Sequence, residues 1–279
     1  FLSLTADHGD ADARWAFGTG FEDPLHGVDT TGPATVDAAE LAACCLALGD
    51  DALVGAQRLA QWCTRAPELE EEMALANIGL DLLGQARLLY SRTGQVDGSG
   101  RDEDAYAYFR DAEDFRNVRL AELPNGDFAF SITRLLVLSC WRLAVFQRLA
   151  ATAPDPVLKA VAAKGVNELA SHRQFAADWA VRLGDGTEES HRRMRKALAG
   201  VAPYLDELFA ARPGFGIDPA EVRKETTAVL RQVLDAAGLE LPGAEALPGQ
   251  GREGDHTEHL APLLAELQSV ARAHPEATW

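Results

Sequence analysis

Positive charge is scarce in this sequence: 26 Lys and Arg stand against 43 Asp and Glu, for a formal net charge of −17. A surface of that sign repels phosphate backbones and anionic membranes, which argues against nucleic-acid and membrane partners. Cysteine is sparse as well. Cys44, Cys45, Cys63 and Cys140 fall inside apolar helical runs, with neither the paired spacing of a zinc site nor the density of a disulfide framework, so buried thiols are expected. No apolar run approaches the ~20 residues that cross a bilayer, and the opening FLSLTADHGDADARW lacks the basic start and apolar stretch of a secretory signal. A cytoplasmic protein is expected. The first residue is not Met, so the natural start is expected to lie upstream. Alternation with period two is missing, and so is a glycine-rich strand-to-helix turn for phosphate. A local frame for a Ser or Cys nucleophile, or a Tyr or Lys cluster for carbonyl chemistry, is not found either.

What remains is helical periodicity. Phe1 to about Thr35, rich in Gly, Asp and Thr with Trp15, Phe17 and Phe21 scattered through it, reads as an irregular arm (1–35), and 36–279 as one helical domain. From Val36 to Arg65, Leu41, Cys45, Leu48, Ala52, Ala56, Leu59 and Trp62 mark one helical face. After Pro67 an acidic first turn opens a second helix, to about Arg92. Its two apolar stripes are Leu69, Met73, Ala76, Leu80, Leu83 and Leu75, Ile78, Leu82, Leu89, which predicts that neighbours cover most of its circumference. An aromatic-rich stretch of short helices follows. Phe128 to Ala151 is nearly all apolar, with Arg134, Arg142 and Arg148 as its only charges, and must be deeply buried.

A fourth helix runs from about Pro156 to Leu183, and a fifth starts at Thr187 with Met194, Leu198, Val201, Leu205 and Leu208 as its face. A sixth opens on Asp218-Pro219-Ala220-Glu221, with an acid at the cap and proline at the first helical position, and stops at Gly238. A Gly/Pro-rich loop, Leu241 to Gly254, leads to a last helix. The fold class is all-α: a four-helix bundle core with additional peripheral helices.

Bundles of this kind acquire chemistry by placing two irons between helices, with one Glu from each of two helices and Glu-x-x-His from each of the others. The third long helix contains no Asp, Glu or His, so it offers no carboxylate ligand. Glu188-x-x-His191 has the spacing but sits behind Thr187, where capping explains the acid; Glu253-x-x-His256 falls in a glycine-rich entry. His256, Glu258 and His259 could form a metal cluster, but Asp255 with Glu258 equally makes a capping box, and Pro262 must kink or restart that helix. Arg192, Arg193 and Arg195 read as a solvated helix surface, with binding of an anionic coenzyme A as the lesser reading.

Glu168 and His172 lie one turn apart on a core-facing stripe of the fourth helix, and Asn77, Asp81 and Gln85 align on the second. Asp81, Glu168 and His172 are then either an incomplete metal site or a buried hydrogen-bonded network. The network is favoured, because Arg134 and Arg142 can neutralise these acids where a metal otherwise would.

Leu48 to Tyr90, containing ANIGLDLLGQAR, closely resembles the C-subunit family of bacterial phenylacetyl-CoA epoxidases. The resemblance recurs in ELPNGDFAFSITR (Glu122 to Arg134), in Glu168 to Arg182 with its RLGDGT ending, and in HTEHLAPLLAELQ (His256 to Gln268), and so covers the chain from about Leu41 onward. It implies a ferritin-like fold and a non-catalytic structural role in a multicomponent oxygenase that epoxidises the ring of phenylacetyl-CoA. The implied partners are a catalytic A subunit, which holds the di-iron centre and handles the substrate, a B component and a reductase. No catalytic, cofactor or metal residue is then expected on this chain. The alternative is a di-iron oxidase in its own right, with atypical ligands. Residues Phe1 to about Glu40 extend beyond the start expected for that family. The arm is expected to clasp a neighbouring subunit, and unchanged complex assembly after deletion of the residues before Val36 would reject that.

Overall fold

The computed structural model describes residues 25–31, 36–210 and 214–277; the aromatic residues of the expected arm, Trp15, Phe17 and Phe21, lie outside them. Ten α-helices follow one another among the described residues, with no strand. They are α1 (Ala38–Ala60), α2 (Leu69–Val96), α3 (Glu103–Tyr108), α4 (Arg119–Glu122) and α5 (Phe128–Thr152). The rest are α6 (Pro156–Gly184), α7 (Glu188–Val201), α8 (Glu207–Ala210), α9 (Pro219–Ala236) and α10 (Leu260–Ala273).

Apart from α2, the helices of the core begin where short polar side chains can replace the missing backbone partners of a first turn. Asp37 accepts from the Ala39 N–H, Asp127 from Phe130 and Asp155 from Leu158, each at 2.9 Å. Thr187 and Ser190 cap α7 reciprocally, and Asp218 caps α9 through Ala220. Helices α1 and α2 pack as one hairpin, α5 and α6 as another, and α2 lies against α6 to close the four-helix core. Helices α7 and α9 cover α5. Gly165 lets α6 come close to α5, since a Cβ there would stand 2.7 Å from the Phe146 ring.

Several expectations need correction. Helix α7 stops at Val201, and the face predicted to continue through Leu205 and Leu208 passes into a 3-10 turn (Ala202–Tyr204) and α8, because Pro203 has no N–H to continue the ladder. Helix α10 starts behind His259 without a side-chain cap, so Asp255 and Glu258 form no box and Pro262 sits in the first turn, where its missing N–H costs nothing. Helix α5 is in fact long and apolar enough to cross a membrane, with mean hydropathy 1.5, but it lies mostly buried in the bundle. Of the thiols, Cys44, Cys45 and Cys140 are buried as expected and Cys63 is exposed.

The outer stripe predicted to be covered on α2 is not. Leu69, Met73, Leu80 and Leu83 are 66%, 58%, 63% and 43% exposed, whereas Leu75, Ile78, Leu82 and Leu89 face the core.

Candidate functional site

At the centre of the bundle, where facing helices of a metal-binding relative would converge, the side chains are Asp51 from α1, Leu82 from α2, Arg134, Trp141 and Arg142 from α5, and His172 from α6. They line a cavity of about 40 Å³. Asp51 is already engaged: Arg252 donates Nη1–H to its Oδ1 at 2.9 Å and Nη2–H to its Oδ2 at 2.6 Å, and the Val118 N–H donates at 2.8 Å. Arg142 stands 3.9 Å from the same carboxylate. It donates Nε–H to Gln85 Oε1 and Nη1–H to the Leu48 carbonyl, both at 3.0 Å, while its guanidinium stacks on Phe146. Burial pulls the Arg142 pKa down to about 10 against the raising effect of Asp51.

The structure brings most of the anticipated network together. His172 Nε2 and Asp81 Oδ2 are 2.8 Å apart, and Gln85 Nε2 donates to Glu168 Oε2 at 2.8 Å, so Gln85 links Glu168 to Arg142. Two members differ from expectation. The Asp81 side chain is 42% exposed, sitting at the edge of the core, and Glu168 also takes Lys164 one turn earlier at 2.5 Å. Arg134 does not join. Its guanidinium donates to the Leu123 carbonyl and to Asn125 Oδ1 in the turn before α5, because at position 134 it faces the start of its own helix. Burial, with the nearby charge of Arg58, draws its pKa down to about 9.

This donor set does not suit a pair of irons. The one carboxylate lining the cavity is held by Arg252, and the other charged residues of the lining, Arg134 and Arg142, are cations unsuited to binding a metal. Among the described residues, no three His, Cys, Asp or Glu side chains gather into a group that could hold a metal. His191 Nδ1 lies 2.7 Å from the Gly184 carbonyl, and Glu188 stands in the first turn behind the Thr187 cap. His259 lies at the surface, 4.0 Å from Glu258. Arg192 and Arg193 are paired with Glu189 on the surface of α7.

Sequence reasoning misses the acids that organise the bundle. Asp50, next to Asp51 but on another side of α1, accepts from Tyr90 Oη at 2.6 Å, from Arg110 Nη2 at 2.5 Å and from the Arg116 N–H at 2.7 Å. Glu207 ties Arg119 and the Gly251 N–H together. Glu122 accepts from Asn117 at 2.8 Å and from the Thr257 N–H, and meets His256 Nδ1 at 3.0 Å. The other His256 nitrogen lies 2.8 Å from the Phe115 carbonyl, so both ring nitrogens face acceptors. Burial opposes the charged ring, but these two acceptors outweigh it and raise the His256 pKa. The signal in the sequence is two consecutive aspartates inside the apolar run LALGDDALVG.

A four-helix core with peripheral helices and arginines at its centre defines a ferritin-like, all-α protein. Residues 28–279 match the phenylacetic acid catabolic protein family, and the chain belongs to it. Over 248 residues the chain is 42% identical to the C subunit of the 1,2-phenylacetyl-CoA epoxidase of Escherichia coli strain K12, an alignment spanning 86% of this chain and 99% of that relative.

Proposed function

We propose that this chain is a structural, non-catalytic subunit of a phenylacetyl-CoA epoxidase, pairing with the catalytic A subunit that holds the di-iron centre. The B component and the reductase complete the assembly, and the substrate is handled by the partner. The observation that carries this reading is the centre of the bundle, where Asp51 is bound to Arg252 and the buried Arg142 stands 3.9 Å from it. The naming of the Escherichia coli relative as a subunit supports a multicomponent setting.

The surface supports it too. Leu69, Met73, Leu80 and Leu83 form an exposed apolar stripe that runs about 21 Å along α2, at 1.5 Å per residue. Such stripes mark association surfaces, and we assign this one to the A subunit. The test is co-expression with the A subunit, iron analysis of each chain purified alone, and epoxidation assayed with and without this chain. Stoichiometric iron in this chain alone would favour an oxidase using Asp81, Glu168 and His172, and would overturn the proposal. The double variant Met73→Glu/Leu80→Glu should keep the thermal midpoint of the isolated chain and lose co-purification. Retained co-purification would move the interface elsewhere.

A further inference from the structure

Three polar atoms around the central cavity have no hydrogen-bond partner among the described residues: Trp141 Nε1, Arg142 Nη2 and His172 Nδ1. All three residues line that cavity, and they are 3%, 4% and 2% exposed. A buried donor left unmet is destabilising by about 1–3 kcal/mol, so the two from Trp141 and Arg142 around one cavity call for a common acceptor. The indole N–H and the guanidinium can only donate, which fixes the chemistry of whatever they meet.

The charge around the cavity points the same way. Arg134 and Arg142 both line it and both are buried. Asp51 is the only carboxylate among the lining residues, and its two oxygens already take three donors from Arg252 and Val118. Arg134 is hydrogen-bonded to uncharged oxygens alone, those of Leu123 and Asn125. The walls therefore carry an excess of positive charge, and in a low-dielectric interior that charge demands an anion or a large penalty. A single water needs roughly 10–15 Å³ by this measure of volume, so about 40 Å³ has room for a halide-sized ion and none for an anion as bulky as gluconate.

We propose that the cavity between α1, α2, α5 and α6 is a binding site for one monovalent anion of halide size, held by Arg142 Nη2–H and Trp141 Nε1–H. His172, whose Nε2 pairs with Asp81, forms another part of the wall. The anion stands among the core helices in the role of a fixed counter-charge, so the bundle is stabilised by a particular ion rather than by ionic strength. The site is independent of whether this chain pairs with a catalytic partner.

The experiment uses the full chain. Its thermal midpoint is measured in sodium chloride, sodium bromide and sodium gluconate at one ionic strength, and crystals grown in bromide are examined for anomalous scattering. The expected result is a midpoint several degrees higher in either halide than in gluconate, which is too large to enter, with one bromide peak against Arg142 and Trp141. Arg142→Met should abolish the difference between halide and gluconate. If that variant does not fold, Trp141→Phe, which removes one donor and keeps the ring packing, should shrink the difference and raise the halide concentration at half effect by at least tenfold. Equal midpoints in all three salts, or density refining as water with no anomalous signal, would overturn the proposal.

Discussion

Replacing Asp51 with asparagine removes one negative charge from between Arg252 and the buried guanidinium of Arg142 and leaves the shape almost unchanged. Asp51 takes two hydrogen bonds from Arg252 at 2.9 and 2.6 Å and one from the Val118 N–H, with Arg142 at 3.9 Å. Breaking a buried pair by removing one partner is destabilising by about 3–5 kcal/mol, because the remaining charge is left uncompensated. Arg252 keeps bonds to the Ala47 and Arg116 carbonyls and is not fully enclosed, which puts Asp51→Asn near the lower end, at about 3 kcal/mol. For a domain of this size that corresponds to a fall in Tm of roughly 6–12 °C. Urea unfolding of Asp51→Asn, Arg252→Met and the double variant gives the coupling directly, and the double variant should be no worse than the sum of the singles. Asp206→Asn, which breaks the exposed pair with Arg223, serves as the control and should be indistinguishable from the parent chain. A loss below about 1 kcal/mol for Asp51→Asn would refute the claim that this carboxylate holds the bundle's central charge.

Gly94→Ala should destabilise by about 1–3 kcal/mol or more, since the new Cβ would lie 1.8 Å from the Arg101 carbonyl oxygen and the loop after α2 would have to move; an unchanged urea midpoint would contradict the fit of that loop. His256 is raised in the folded chain, so its contribution is full below the ordinary imidazole range and is lost as pH rises through the raised native value. Thermal midpoints of the parent and His256→Asn, followed from about pH 6 to about pH 9, should therefore converge as pH rises. Under native conditions a maleimide should modify Cys63 first and leave Cys44, Cys45 and Cys140 protected until unfolding, as mass spectrometry of the labelled peptides would report. Burial pushes the Cys140 thiol up to about 12, which slows it further.

The helices are legible in the sequence because their signals are local. Apolar residues at three and four spacings, Asp or Thr at the caps and the proline after Asp155 and Asp218 all act within one or two turns. The meeting of Asp81 with His172 is likewise readable from face assignment, since both project from long regular helices. Arg134 is misjudged because a flexible side chain near a helix start has turn carbonyls within reach, and nothing in its spacing distinguishes those from an acid across the core. The outer stripe of α2 is misjudged for a different reason: periodicity shows that a face must be covered and is silent on whether the cover belongs to the same chain. Asp50, Asp51 and Glu122 escape notice because their partners lie 60, 201 and 134 positions away.

Those distances along the chain bear on the order in which the protein can assemble. Adjacent aspartates on α1 await arginines made much later, 60 and 201 positions further along. On a ribosome working from the amino end, α1 can pair with α2 and the second hairpin can dock, bringing Arg142 near Asp51, before Arg252 is made. Completion then waits on the arrival of Arg252, which supplies both of the direct guanidinium hydrogen bonds to Asp51 and so fastens a late segment to the first helix.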